Sequence, residues 1–216
     1  MAVQIIGGTS GIVADVDTDK SIRVVNRAPA FGALGCYSLD TVSGTMAAGL
    51  AAAAPVYSIR WGDATRFALI QKIFMSMWDI TTAFTAGLGK FEVMFARAFT
   101  ASDSGGNSVL PTGNMNKRRT SMGTTLFTDM RQSSTATLTA GTRTLDTNPL
   151  RQVNFQVSTT ANAVMLATTQ IYGLTIDGEH PLILAQNEGI VIRATVPATG
   201  TWAFNVALDW MEVAAY

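Results

Sequence analysis

Few side chains in this sequence are of the kind that does acid–base, nucleophilic or metal chemistry. His180, in "DGEHPL", is the only histidine. Beside Asp177 or Glu179 it has the makings of a general base oriented by a carboxylate. No nucleophile motif accompanies it, neither a G-x-S-x-G elbow nor a Cys–His pair. The expectation is an exposed turn residue ahead of a strand. Glu179 and Glu188 would be the paired carboxylates of a glycan-cleaving enzyme only by default. "DVDTDK" puts Asp15, Asp17 and Asp19 at the first three ligand positions of a calcium loop. Lys20 and Asn26 then stand where such a loop needs its Gly and its bidentate Glu, so a solvated acidic turn is expected. Cys36 is the single cysteine, and with one histidine it cannot complete a structural zinc site. "GTSG" and "SGG" lack the Lys–Ser/Thr of a phosphate-binding loop. The chain is therefore expected not to be an enzyme and to carry no catalytic residue, cofactor or metal.

The one basic cluster is "NKRRT", Asn116–Thr120, inside the long Gly-, Asn- and Pro-rich stretch 101–122. Net charge is zero, 15 basic against 15 acidic residues, which argues against direct nucleic-acid binding. Polar contact with a neighbouring subunit is the expected use of Asn116, Lys117, Arg118 and Arg119. Charged residues make up only 14% of the chain, against about 25% in typical domains. Mean hydropathy is +0.25. A surface so poorly charged is common where neighbours in an assembly cover it. A lone cysteine rules out an internal disulfide, so stability must come from packing or association. The N-terminal residues lack the basic and apolar regions of a signal peptide, and no apolar run is long enough to span a bilayer.

The elements that must position these residues read as β. "VYSIRW" places Tyr57, Ile59 and Trp61 on one face. "FALIQKIFMSMWDI" (67–80) fits a buried strand and also helical spacing. In "KFEVMFARAF" Phe91, Val93, Phe95 and Phe99 share a face that only Arg97 interrupts. "TATLTA" (135–140), "RQVNFQVS" (151–158), "AVMLATTQIYGL" (163–174) and "PLILA" (181–185) follow. The strongest signal is "NEGIVIRATVPATGTWAFNVALDW" (187–210), read as a hairpin about the turn Pro197–Thr201. Ile190, Ile192, Ala194 and Val196 form one apolar face. Trp202, Phe204, Val206, Leu208 and Trp210 form the other. Ala203, Asn205, Ala207, Asp209 and Met211 point the opposite way. Together with Trp61 and Trp78, Trp202 and Trp210 could stack on a sugar, but core positions are expected. "MAAGLAAAA" has the propensity of a short helix, weakened by Gly49 and Pro55.

About eight to ten short strands with turn residues between them predict an all-β, antiparallel two-sheet β-sandwich, jelly-roll-like. Residues 1–40, rich in Gly, Asp and Pro, are expected to form an extended N-terminal arm, and residues 41–216 the body. Ile5, Ile6, Ile12 and Val13 are the arm's candidate contacts.

Four segments carry a resemblance. They are "SGTMAAGLAAAAPVYSIRWGDATR" (43–66), "RRTSMGTTLFTDMR" (118–131), "AGTRTLDTNPL" (140–150) and "HPLILAQNEGIVIRATVPATGTWAFNVALDW" (180–210). In this order they resemble a group of tailed-bacteriophage structural proteins with a W-x-D-x-T-R segment, an R-T-S-M loop and a P-L-x-L-A-Q-N-E-G strand. The resemblance covers most of residues 41–212. It implies a virion component, and among these a capsid decoration (cement) protein. Such a protein binds the outer capsid surface at capsomer junctions, with the major capsid protein and its own copies, as a homotrimer, for partners. It implies assembly in the host cytoplasm and no membrane partner. The alternative is a tail or fibre component acting as a receptor- or carbohydrate-binding module.

Overall fold

The computed structural model describes residues 6–7, 12–13, 34–47, 49–50, 53–173 and 180–215. The chain divides into two compact units, Met1–Phe31 and Gly32–Tyr216. In the first, β1 (Ile6–Gly7) and β2 (Ile12–Val13) pair antiparallel. Ile5, the calcium-like aspartates and "GTSG" lie outside the described residues.

The second unit is a sandwich of two antiparallel sheets. Its strands are β3 (Gly35–Val42), β4 (Met46–Ala47), β5 (Ala54–Trp61), β6 (Phe67–Asp79), β7 (Leu88–Ala101), β8 (Asn107–Ser108) and β9 (Phe127–Gln132). They continue as β10 (Thr142–Leu145), β11 (Arg151–Gln156), β12 (Val164–Gly173), β13 (Leu182–Leu184), β14 (Glu188–Thr195) and β15 (Thr201–Val213). Sheet I runs β8-β9-β5-β14-β7, with β10 and β11 both on the far edge of β7. Sheet II runs β3-β15-β6-β12, with β4 beside β15 and β13 beside β6. Eight principal strands, β3, β5, β6, β7, β11, β12, β14 and β15, taken in chain order, give 2-7-4-5 in sheet I and 1-8-3-6 in sheet II. That is the strand order of a jelly roll, two interleaved Greek keys.

β14 and β15 do not form a hairpin. β14 pairs with β5 and β7, whereas β15 pairs with β3 and β6. The turn between them carries the chain from one sheet to the other. Their apolar faces still meet, but across the core instead of side by side. The turn closes tightly: Gly200 has φ 116°, and an added Cβ would lie 2.8 Å from the Phe84 ring. Phe84 plugs this end of the sandwich, and Thr81, Thr82 and Thr85 bind the hydroxyls of Thr199 and Thr201 around it.

Aromatic rings join the sheets at both ends of β15. Trp210 stacks on Tyr37 and meets Phe127 edge-on, and Phe127 in turn meets Trp61. At the other end Trp202 and Phe204 pack on Phe91, which also contacts Phe155. Each buried indole N–H finds an oxygen, Ala47 for Trp202 and Arg66 for Trp61. Buried aromatic area carries most of the energy of such a core, and satisfied N–H groups remove the cost of burying it.

Four further readings change. β3 makes residues 35–40 part of the body instead of the arm, because Tyr37 and Leu39 extend the core face of sheet II beside β15. Met46–Ala47 extends a sheet edge and is not helical. In "TATLTA" only Thr139 bridges, to Ser104. Phe99 leaves the face of Phe91, Val93 and Phe95: Ala98 sits at φ 48°, the alternation slips, and Phe99 joins Met94, Ala96 and Val191 on the outer side of sheet I. The 67–80 segment, which fits either spacing, resolves as the 13-residue strand β6, Phe67–Asp79.

Trp202→Ala is expected to lower stability by about 3–5 kcal/mol, as for other buried Trp truncations. Leu88, exposed at 75%, serves as the control. Its replacement by Ala should change stability by no more than about 0.5 kcal/mol. Chemical denaturation of the two variants checks this.

Candidate functional site

The stretch 102–150 leaves β7 and returns as β11, and on the way it covers the open side of the sandwich. β8 and β9 extend sheet I beyond β5. Residues 116–118 then run along the free edge of β3: Ser38 N–H donates to Asn116 O at 3.0 Å, and Arg118 N–H to Cys36 O at 2.9 Å. The Asn116 amide donates to Ser38 O at 2.8 Å, and Arg118 pairs with Asp209 of β15 at 2.9 Å. This part of the basic cluster is thus committed to the chain's own sheet. Cys36 is buried beneath it, and desolvation raises its thiol, opposed by the nearby Arg118 charge.

Among the described residues the side chains of Lys117 and Arg119 make only local hydrogen bonds, with Asn114 and Ser121. Beside them Met115 is 65% exposed, and Leu34, just before β3, is 43% exposed. Val42 at the other end of β3 is 57% exposed. Three of the five exposed large hydrophobics among the described residues therefore lie on or beside β3, with the two cationic side chains toward its Leu34 end. Exposed apolar groups rimmed by charge are the composition of a contact surface. Ile6, Ile12 and Val13 belong to the separate β1–β2 pair.

Two ionic arrangements hold the 102–150 stretch in place. Asp103 and Arg143 form an ion pair with side chains 0% and 4% exposed. Asp103 also accepts the Gly141 N–H at 2.9 Å, and the Arg143 guanidinium lies over the Phe99 ring at 5.3 Å. Burial pushes the Arg143 guanidinium down to about 10. With the Ser104–Thr139 bridge, this pair ties the two ends of the stretch together. "SGG" is the tight bend at its start: Gly106 has φ 59°, and an added Cβ would lie 2.2 Å from Gln132 O. Gly106 serves close chain approach, and Gly105, at φ 77°, serves the bend. On the other side Glu212, buried, accepts Thr125 Oγ1 at 2.7 Å and Leu126 N–H at 2.9 Å. Desolvation raises its carboxyl, and these hydrogen bonds oppose that.

The remaining chemical candidates are structural or apart. Glu188 receives Ala185 N–H at 2.8 Å and pairs with Arg97, which is held bidentately by Asp146. Arg193 pairs with Glu92 across β14 and β7. His180 is exposed, its Nδ1 lying 2.8 Å from Pro181 O. Asp177 and Glu179 lie outside the described residues. Among the described residues no group of three His, Cys, Asp or Glu is placed to hold a metal. Trp61, Trp202 and Trp210 are core residues, whereas Trp78 is only half-buried, on the outer face of sheet II.

Removing one member of the buried pair should be costly and removing both should not. Asp103→Ala leaves the guanidinium buried and is expected to cost about 3–5 kcal/mol. The double change Asp103→Leu with Arg143→Met should recover most of that loss in guanidinium unfolding curves.

Searches against protein-family models, curated proteins and solved structures found no match to this chain.

Proposed function

We propose that this chain is a structural virion subunit of a tailed bacteriophage. It binds the outer surface of the capsid and stabilises the shell at capsomer junctions, with the major capsid protein and its own copies, as a homotrimer, for partners. The observation that carries the reading is the β3 edge. There the 115–119 segment offers Met115, Lys117 and Arg119 beside Leu34, on a body otherwise held by internal packing. The ordered resemblance of residues 41–212 supplies the virion context, and the low charge of the chain fits a surface that neighbours cover. The mechanism is cooperative burial of many weak contacts across a symmetric lattice, so that each bound copy raises the effective concentration of the next. A second reading, a saccharide-binding tail or fibre module, draws its support from the outer face of sheet II.

Purified chain added to undecorated capsids is expected to bind to saturation at a stoichiometry set by capsid symmetry. Lys117→Glu with Arg119→Glu should weaken that binding by about tenfold or more without changing the fold. Removal of residues 1–25, which contain Ile5, Ile6, Ile12 and Val13, should also weaken attachment and leave the far-ultraviolet circular dichroism of the body intact. Attachment to tails but not to capsids contradicts the capsid reading. Unfolding of the truncated chain contradicts the arm assignment.

A further inference from the structure

The outer face of sheet II is hollow. β15 runs through its middle and presents Asn205 and Ala207, short side chains that form a floor. Longer side chains rise on either side of that floor. Phe74 and Trp78 stand on β6, and Val42 stands on β3. The result is an open concavity of about 430 Å³. That lies within the roughly 300–1,000 Å³ of small-molecule sites. Its position follows from the sequence alternation: the same period of two that sends Trp202, Phe204, Val206, Leu208 and Trp210 inward leaves Ala, Asn and Ala outward at 203, 205 and 207.

The chemistry of the lining is specific. Phe74 and Trp78 are half-buried, so each side chain is partly packed and partly open to solvent. They lie four residues apart on one face of a strand, roughly 13 Å at the usual rise per residue. Between them Ser76 pairs in register with Asn205, and Asn205 also faces Val42 of β3. The Asn205 amide donates to the Asp40 carboxylate, which fixes its orientation. The Thr168 hydroxyl lines the β12 side. The Trp78 indole N–H and the Ser76 and Thr168 hydroxyls have no hydrogen-bond partner among the described residues. Asp40 is the one charged side chain in the lining, and there is no cation.

We propose that this concavity is a binding site for a neutral oligosaccharide. A sugar ring has an apolar C–H face and a rim of hydroxyls that both donate and accept. It needs an aromatic plate with amide, carboxylate and hydroxyl groups beside it, the set that Trp78, Phe74, Asn205, Asp40, Ser76 and Thr168 provide. Phosphorylated or acidic ligands are disfavoured, since they require the Arg or Lys that the lining lacks. The spacing of the two rings suits an extended chain better than a single sugar. The inference does not depend on the capsid reading: a decoration subunit and a fibre module would both present such a site to the outside.

The test uses the full chain, titrated by calorimetry and tryptophan fluorescence with neutral oligosaccharides of glucose, galactose and N-acetylglucosamine. Sialylated and phosphorylated sugars are the controls. Saturable binding of at least one neutral member is expected, and Trp78→Ala should weaken it by about tenfold or more. Asn205→Ala, a smaller change on the same floor, should weaken it as well, with thermal unfolding close to that of the parent chain. Failure to bind any neutral member overturns the proposal. So does preference for the anionic controls, or binding that survives both substitutions. Loss of self-association in Trp78→Ala without saccharide binding would assign the face to a second copy of the chain and equally overturn it.

Discussion

The structure depends on one packing constraint, that the apolar face of β14 lies across the core from that of β15. Ile190, Ile192 and Ala194 look from sheet I toward Trp202, Phe204, Val206, Leu208 and Trp210 in sheet II, all buried. Because the two strands belong to different sheets, each is flanked by strands from earlier in the chain. β14 lies between β5 and β7, and β15 between β3 and β6. The last strands thus occupy the middle of both sheets, and neither sheet is complete until they are in place. Contacts of such long sequence separation make the fold cooperative, and they are expected to make it slow to form.

A sandwich built this way still has edges, and unpaired edge strands invite association. The stretch between β7 and β11 deals with one side. It adds β8 and β9 to sheet I, lays residues 116–118 against β3, and is tied at its neck by the Asp103–Arg143 pair. A segment tied at its neck by a buried ion pair is anchored where it leaves the body and polar where it meets solvent. That combination places Lys117 and Arg119 at fixed positions without spending core residues on them.

Much of this was legible in the sequence. The period of two in 202–210 and in 57–61 defined buried faces that the structure keeps, and the turn residues between short apolar runs gave the two-sheet class. The hairpin was misread because alternation and a short Pro/Gly turn look the same whether two strands pair or face each other across a core; only their partners differ. Phe99 was misplaced because one residue in the left-handed region, Ala98, reverses the faces beyond it, and Ala carries no signal for that. β3 and β9 went unread because Gly35, Ser38, Asp40, Thr128 and Asp129 dilute their apolar pattern, and the 101–122 stretch showed no strand because its pairing uses backbone groups, which have no sequence signature. The hollow on sheet II was not legible: its residues come from β3, β6, β12 and β15, and only the fold brings them together.

The proposed role joins these parts: a stiff jelly roll, one edge dressed for contact with a shell, and one hollow face left toward solvent. The most direct test is the position of the chain in an electron cryomicroscopy map of the particle that contains it. Density for the sandwich on the outside of the capsid, between capsomers and with the 115–119 segment against the shell, is the expected result. Density in the tail or fibres, or a capsid-bound sandwich whose β3 edge faces solvent, would contradict it.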